Sequence, residues 1–310
     1  MHITIYGSGG LGGYFGARLA KAGNDVVFIA RGRHLEIMQR NGLRISSIHG
    51  DFTLPAVNAT DELNQIGETD LIILGVKAWQ VSAAARAIKP IVKPGTMILP
   101  LQNGVEAVDQ IAATAGTGNT LGGLAKIVSY LEAPGHIRHV GADPYIAFGE
   151  LDNTQSDRMQ KLKHTLEQAG ITAEIPANIH AAIWNKFLFV ASWGGVASVC
   201  RLPIGNLLSV PQTRELLREA ANEILRLAHA RDVQLPADTV DIALAFMETL
   251  PAESTTSLQR DIAERKPSEL EAWTGAVVRL GRDSNVPAPV NNFIYNCLLP
   301  AEMLTRNATL

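Results

Sequence analysis

Short, nearly continuous apolar runs alternate with segments of helical periodicity through the first half of the chain. Helical periodicity occurs at Leu11–Ala22, which ends before Gly23, and at Val81–Ile88, which ends before Pro90. Strands that are apolar on both faces and alternate with helices are typical of a parallel sheet covered by helices on both sides. The pattern therefore predicts an α/β domain. Its predicted strands are His2–Tyr6, Val26–Ala30, Leu71–Val76 and Thr96–Leu99.

The character of the sequence changes after Gly170. Before it, Ile137–Val140 and Tyr145–Phe148 flank the turn residues Gly141–Pro144 and predict a β-hairpin. After it, the apolar spacing is helical throughout, and Pro176 interrupts the chain within Ile175–Asn178. We therefore expect an α/β domain over residues 1–175 and an all-helical domain over residues 176–310. The predicted helices are Ile179–Cys200, Thr213–Arg231, Ala237–Leu250, Ser257–Arg265, Ser268–Arg282 and Pro289–Arg306.

Composition excludes several classes of protein. The chain has 310 residues, of which 46% are hydrophobic and 18% charged, and this is globular rather than disordered composition. Lys and Arg number 27 against 30 Asp and Glu, so the net charge is −3. No positive surplus is available for nucleic acid or an anionic membrane, and we expect a small-molecule partner. Whether the chain forms a homodimer stays open.

Cysteine and histidine positions argue against a metal site or a disulfide scaffold. Cys200 and Cys297 stand far apart without a paired motif, as expected in a reducing cytoplasm. His136 and His139 would point to opposite faces of a strand, so we expect no bound metal. The remaining histidines, including His34, are expected at the surface. The N-terminus lacks a signal-peptide pattern, and no apolar stretch reaches the ~18 residues of a membrane span, so the expected location is the cytoplasm.

A glycine-rich turn follows the first predicted strand. The segment Gly7-Ser8-Gly9-Gly10-Leu11-Gly12 matches the pattern GxGxxG and opens the first predicted helix. In a dinucleotide site, Gly7 permits the tight turn, Gly9 admits the pyrophosphate and Gly12 allows close packing of helix on strand. Because the chain has 27 glycines, the match alone is weak, and a plain glycine turn is the alternative. The position between strand and helix favours nucleotide binding.

Arg31 occupies the end of the second predicted strand. Enzymes that prefer NAD usually carry an acidic residue there, whereas a guanidinium binds the 2′-phosphate of NADP. No acid lies between Ile29 and Arg33, so NADP is favoured, with a solvated surface arginine as the alternative. Two polar segments, one with Lys77 and one with Asn103, follow the next two strands, where ligands of open α/β sheets bind.

In this order the motifs resemble those of the ketopantoate reductase (2-dehydropantoate 2-reductase) family almost from end to end. The resemblance rests on the glycine segment GSGGLGGYFGARLAKAG, the strand ending in Arg31, and VKAWQ, PLQNGV, WNKFL and TTSLQRDIAERKPSELEAWTG. It implies an N-terminal Rossmann-type domain, an all-helical C-terminal domain and NADPH-dependent reduction of a 2-oxo acid. In the family this reaction converts ketopantoate to pantoate in pantothenate biosynthesis.

The resemblance also implies roles for individual residues. Lys186 matches the lysine that protonates the alkoxide formed from the substrate, and Glu269 matches a glutamate that helps to bind substrate and hold that lysine. Ser257 matches a substrate-binding serine, Asn103 an asparagine near nicotinamide and substrate, and Lys77 a lysine near the cofactor. From the residues alone, a lysine in an apolar helical run either extends its amine to solvent or is held for chemistry.

Three positions depart from the family pattern. Typical members carry asparagine where this chain has Val190, Gly194 and Ile204. Loss of these amides leaves a more apolar surface, which favours a more apolar substrate than the ketopantoate of typical members. The alternatives are a paralogous reductase of a more apolar 2-oxo acid, a β-hydroxyacid dehydrogenase, which VKAWQ and SLQRDIAERKPSE argue against, and a non-catalytic NADP(H)-sensing protein.

Overall fold

The computed structural model describes residues 1–308 and divides them into two compact units. Unit 1 comprises Met1–Gln102 and Ala107–Ile179. Unit 2 comprises Asn103–Glu106 and the described chain from His180 onward. Asn103–Glu106 lies between two segments of unit 1 in the sequence, yet its contacts place it with the helices of unit 2.

Unit 1 is an α/β structure. Its strands are β1 (His2–Tyr6), β2 (Asp25–Ile29), β3 (Leu43–Ser47), β4 (Phe52–Leu54), β5 (Asn58–Thr60), β6 (Leu71–Leu74), β7 (Met97–Pro100), β8 (Leu121–Ala133), β9 (His136–Glu150) and β10 (Thr172–Glu174). Its helices are α1 (Gly10–Lys21), α2 (Gly32–Asn41), α3 (Val81–Ile88), α4 (Ala107–Ala115) and α5 (Asp157–Gln168).

The first sheet of unit 1 is parallel and has the order β5-β2-β1-β6-β7. Tyr6, the last residue of β1, is paired with Ile29 on one side and Leu74 on the other. Because β2 and β6 flank β1, the strand order reverses there, and such a switch point is where ligands of open α/β sheets bind. The glycine segment that follows Tyr6 therefore begins at the ligand-binding edge of the sheet.

The second sheet corrects the predicted hairpin. Its order is β10-β9-β3-β4, with β8 antiparallel to β9. Gly141–Pro144 lies inside β9 rather than in a turn, and β9 pairs along its length with β8, which the sequence analysis missed. The prediction was wrong because a register irregularity between Lys126 and Val128 accommodates the turn-forming residues within a continuous strand.

Unit 2 is helical. Only one prediction differs in kind: Ser268–Arg282 is a short 3₁₀ turn, Leu270–Ala272, followed by a separate helix, because Trp273 has φ −107° and ψ −96°. The helices are α6 (Ile179–Cys200), α7 (Ile204–Ser209), α8 (Pro211–Ala230), α9 (Thr239–Glu248), α10 (Ser257–Ala263), α11 (Thr274–Asp283) and α12 (Pro289–Ala308). The predicted fold class, a parallel-sheet α/β region followed by a helical region, is confirmed.

Each unit has its own apolar core. In unit 1, Ile5 of β1, Phe15 of α1 and Phe28 of β2 are fully buried between sheet and helix. In unit 2, Phe187 and Leu188 of α6 are buried among residues of α8, α9 and α11. The packing of α1 on β1 and β2 positions the glycine segment, and the burial of α6 fixes the helix that carries Lys186.

Candidate functional site

The glycine segment between β1 and α1 has the geometry of a nucleotide cradle. Gly7 has φ +100°, and a Cβ added to it would lie 2.8 Å from the Val76 side chain. A Cβ on Gly12 would lie 2.2 Å from the carbonyl oxygen of Gly7, so helix and strand touch there. At Gly9, by contrast, an added Cβ would meet no atom of residues 1–308 within 4 Å. Open space beside Gly9, facing the N-terminus of α1, fits a pyrophosphate.

The other members of the segment are held within unit 1. A Cβ on Gly10 would lie 2.5 Å from the Tyr130 Cα, and Leu11 packs against the apolar core. Ser8 is buried, and both its backbone N–H and its hydroxyl donate to the carbonyl oxygen of Ile29, at 3.2 and 2.9 Å. The structure thus shows Ser8 tying the segment to the end of β2.

His34 is a further residue of this region, to which the sequence analysis gave no role. The backbone N–H of Gly135 donates to its Nδ1 at 2.9 Å, so Nε2 carries the proton and donates to the Ser8 carbonyl at 2.8 Å. The expectation of a surface position was wrong, since His34 is half-buried. Burial lowers the pKa of His34, against an opposing effect of the Ser8 hydrogen bond. The side chain is therefore a neutral bridge that supports the glycine segment.

Two cationic residues follow strands that flank β1. Arg31 is exposed and precedes α2, directly beyond the end of β2. Lys77 is exposed beyond the end of β6, with its Nζ 5.8 Å from the centre of the Trp79 ring. Gln102, which sequence reasoning passed over, donates from Nε2 to the carbonyl oxygens of Leu74 at 2.8 Å and of Val76 at 2.9 Å. Its buried amide thereby fixes the segment that leads to Lys77.

Lys186 lies in unit 2 on the partly exposed side of α6. Phe189 and Val190, about one helical turn further along, are also partly exposed, so the three residues share one face. The ring of Phe189 lies 5.4 Å from that of Phe246 and 5.6 Å from that of Trp193. Phe246 is 52% exposed, whereas Trp193 is buried. The surface next to Lys186 is therefore aliphatic and aromatic.

The three expected asparagine positions lie in different surroundings. Val190 shares the face of Lys186. A Cβ on Gly194 would lie 2.5 Å from the indole ring of Trp273, so that ring fills the space of a side chain at this position. Ile204 is 0% exposed and belongs to the apolar core of unit 2. The expectation that Ile204 shapes a substrate surface was wrong, because a fully buried side chain has no surface to offer.

Ser257 begins one short element of unit 2, and Glu269 lies directly before another. Ser257 is the first residue of α10 and is partly buried. Glu269 is 8% exposed and precedes the 3₁₀ turn Leu270–Ala272. Its neighbour Ser268 is fully buried and donates from the backbone N–H and the hydroxyl to the Glu302 carboxylate, at 3.0 and 2.6 Å. These bonds anchor the turn to α12.

Asn103 belongs to the same unit as Glu269. It is partly buried and is followed by Gly104, which has φ +121°. A Cβ on Gly104 would lie 3.1 Å from the carbonyl oxygen of Ala272, in the turn after Glu269. The structure therefore brings together the segments of Asn103 and Glu269 in unit 2, whereas the glycine segment, Arg31 and Lys77 belong to unit 1.

Within residues 1–308, no group of three or more His, Cys, Asp or Glu side chains is placed to hold a metal ion. In the same part of the chain, no helix is both long enough and apolar enough to span a bilayer.

Comparison with known proteins identifies the family. The family model described as Ketopantoate reductase PanE/ApbA matches residues 3–153, and the model of its C-terminal part matches residues 178–302. A 2-dehydropantoate 2-reductase of Nostoc sp. (strain PCC 7120) is 30% identical over 95% of this chain and 93% of its own length.

Solved structures agree with the family models. The crystal structure of a 2-dehydropantoate 2-reductase from Geobacter metallireducens GS-15 is 31% identical, with a TM-score of 0.90 over 97% of this chain and 100% of that one. A D-mandelate dehydrogenase with NADH and anilino(oxo)acetate has a TM-score of 0.89 over 99% and 100% of the two chains, but at 23% identity it shows a shared fold alone. The chain belongs to the ketopantoate reductase family and is an NADP-dependent oxidoreductase, as its motifs predicted.

Proposed function

We propose that the protein reduces a 2-oxo acid to the 2-hydroxy acid and that Lys186 supplies the proton. The observation that carries this proposal is the place of Lys186, a partly exposed lysine on the helical face that also carries Phe189 and Val190. An ammonium group against apolar neighbours both donates a proton and stabilises developing negative charge. The alternative of an NADP(H) sensor without catalysis does not fit membership of an enzyme family.

The residues of the two units have separate tasks in this proposal. The glycine segment and Arg31 would hold the pyrophosphate and the 2′-phosphate of the cofactor, with Lys77 nearby, and NADPH when bound supplies the hydride for the carbonyl carbon. Lys186 transfers a proton to the oxygen of that former carbonyl, which becomes the hydroxyl group. Asn103 and Ser257 would orient the substrate by hydrogen bonds.

Glu269 has two tasks in the proposed reaction. Its carboxylate would hold the Lys186 ammonium in place and would accept a hydrogen bond from the hydroxyl group of a substrate that carries one, such as ketopantoate. The main-chain carbonyl of Glu269 accepts the N–H groups of Ala272 at 3.0 Å and Trp273 at 3.1 Å, which fixes the backbone at this position. A buried carboxylate on a fixed backbone is well suited to orient a lysine.

Ketopantoate is the first candidate substrate. The Nostoc and Geobacter proteins are named 2-dehydropantoate 2-reductases, and a shared activity would make the product pantoate, within pantothenate biosynthesis. The second candidate is a more apolar 2-oxo acid. Phe189, Val190 and Phe246 favour it, because a partly exposed apolar surface near Lys186 offers no hydrogen bond to a substrate hydroxyl.

One matched pair of substrates separates the candidates. Trimethylpyruvate differs from ketopantoate only in lacking the hydroxyl group, so the ratio of kcat/KM for the two compounds reports the recognition of that group. We expect NADPH oxidation with at least one of them. A kcat/KM for ketopantoate at or above ~10⁴ M⁻¹s⁻¹, exceeding that for trimethylpyruvate, establishes the first candidate. The reverse order establishes the second, and turnover of neither compound nor of a wider 2-oxo acid panel contradicts the proposed reaction.

A further inference from the structure

Arg279 of α11 contacts two separate segments of unit 2. Its guanidinium lies 2.9 Å from the Glu106 carboxylate, at the end of Asn103–Glu106. It also lies 2.7 Å from the Glu271 carboxylate and 2.8 Å from the Glu271 carbonyl oxygen, in the turn that follows Glu269. One side chain therefore joins the segment that begins with Asn103 to the turn that begins after Glu269.

The same two segments also meet through the backbone. A Cβ added to Gly104 would lie 3.1 Å from the Ala272 carbonyl oxygen, so there is almost no room between the two segments. Val105 packs against the apolar core of unit 2. The segment Asn103–Glu106 is thus in contact with the turn at Gly104. Arg279 adds a second connection at Glu106, the last residue of the segment.

Tyr295 of α12 completes the group. Its hydroxyl donates to Glu271 Oε1, while Arg279 bonds Oε2 of the same carboxylate. Burial, together with the bond to Glu271, raises the pKa of Tyr295 to about 12, so the hydroxyl keeps its proton at neutral pH. Glu271 is therefore held on both oxygens, which orients the turn between Glu269 and α11.

We propose that Arg279 is a positioning residue that sets Asn103 relative to Glu269 through its bonds to Glu106 and Glu271. This inference rests on the proposed function, in which Asn103 and Glu269 bind the 2-oxo acid. In this role the guanidinium acts through the backbone of the two segments and not by contact with the substrate. Its planar donors suit this task, because they bind two carboxylates and a carbonyl oxygen in one fixed geometry.

The exposure of the three charged side chains distinguishes a role in positioning from a role in the stability of the fold. The side chains of Arg279, Glu106 and Glu271 are 43%, 28% and 42% exposed, and ion pairs at such sites contribute little to folding. Arg218 provides the matched control, since it pairs with Asp241 elsewhere in unit 2 and is 34% exposed. Removal of either arginine should change the melting temperature by a similar small amount, and only removal of Arg279 should loosen Asn103–Glu106.

The decisive measurement is amide hydrogen exchange of the full chain with NADPH present. Arg279→Ala and Glu106→Gln should each accelerate exchange in the peptide spanning residues 103–106 about 10-fold, and Arg218→Ala should leave it unchanged. The double variant should exchange no faster than Arg279→Ala, because that substitution already removes the contact that Glu106→Gln weakens. Unchanged exchange in Arg279→Ala, or equal acceleration in Arg218→Ala, overturns the inference.

Kinetics then connect the contact to the reaction. Arg279→Ala should lower kcat/KM for the 2-oxo acid about 10-fold while the NADPH dissociation constant stays within a factor of about two. Arg279→Lys should recover part of that loss, and Arg218→Ala should show none. If exchange responds but kcat/KM does not, Arg279 orders the segment without positioning substrate groups, and the inference is wrong. An unmutated protein that reduces no 2-oxo acid contradicts the proposed function instead, and the exchange result still decides whether Arg279 fixes the segment.

Discussion

The Nε2 atom of His34 lies 2.8 Å from the carbonyl oxygen of Ser8, and its Nδ1 accepts the backbone N–H of Gly135. These two bonds require a neutral imidazole with one defined tautomer, since a protonated ring cannot accept the Gly135 proton. The glycine segment is thereby joined to α2 and to the turn between β8 and β9. Protonation of one side chain should therefore disturb the cofactor site.

We predict that NADPH affinity falls as the pH drops below ~6.5, the ordinary pKa of histidine. Because the pKa of His34 is lowered in the folded state, its contribution is fully present above the unfolded value and is lost as the pH falls through the folded one. NADPH titrations between about pH 5 and about pH 8 measure this effect. His34→Phe should bind NADPH about 10-fold more weakly at neutral pH and show a smaller loss of affinity at low pH, the remaining loss arising from protonation of the 2′-phosphate of the cofactor. His164→Gln, at an exposed position of α5, is the control, and an unchanged pH profile in His34→Phe would refute the role.

Two glycines of one segment should respond to the same substitution in opposite ways. Gly9→Ala adds a methyl group to open space at φ −70°, so the free energy of unfolding should change by less than about 0.5 kcal/mol. NADPH should bind it about 10-fold more weakly, because that space would hold the pyrophosphate. Gly12→Ala places a methyl group 2.2 Å from the Gly7 carbonyl oxygen and should destabilise the fold by about 2 kcal/mol. Thermal unfolding and NADPH titration of both variants measure these changes. If Gly9→Ala bound NADPH as tightly as the unmutated protein does, the pyrophosphate would not lie beside Gly9.

Cofactor choice should depend on Arg31. We expect the unmutated protein to prefer NADPH over NADH at least ~10-fold, the scale of one charge-assisted contact. Arg31→Ala should narrow the preference mainly by raising KM for NADPH, whereas Arg40→Ala, exposed at the end of the same helix, should not. Initial rates with both cofactors provide the measurement. Equal use of NADH and NADPH by the unmutated protein would show that Arg31 is an ordinary surface residue.

Local patterns predicted elements well and contacts between distant residues poorly. The bounds of α6, Ile179–Cys200, were predicted without error because a long apolar run leaves few alternatives. The strand β8 was missed because glycines and exposed polar residues interrupt its apolar pattern. Neither the bond from Gly135 to His34 nor the bond from Arg279 to Glu106 has a local signal, since 101 and 173 residues separate the partners. Burial of Ile204 is likewise a tertiary property.

Loss of the Lys186 amine should affect turnover far more than cofactor binding. Lys186→Ala is expected to lower kcat ~100-fold or more, the range for a general acid, while the NADPH dissociation constant changes little. Asn185→Ala, at the exposed neighbouring position of α6, is the control for damage to the helix. Steady-state rates and NADPH titrations on the same preparations separate the two effects. A Lys186→Ala variant with near-normal turnover would mean that the amine merely reaches solvent.

Of the three departures from the family pattern, only a substitution of Val190 should change the choice of substrate without damage to the fold. Gly194→Asn would force a side chain into the Trp273 ring, and Ile204→Asn would bury an amide in an apolar core, so both should destabilise unit 2. Val190→Asn instead adds an amide on the face of Lys186, where part of the residue is exposed.

The expected result is a shift of about 10-fold in the ratio of kcat/KM toward ketopantoate and away from trimethylpyruvate. The physical reason is that a site able to hydrogen-bond a hydroxyl discriminates strongly against an analogue that lacks it, whereas apolar contact distinguishes the two weakly. Val190→Ala is the control, because it changes the size of the side chain without adding a donor. If Val190→Asn and Val190→Ala change the ratio equally, the amide does not reach the hydroxyl, and the departure at Val190 has no bearing on the substrate.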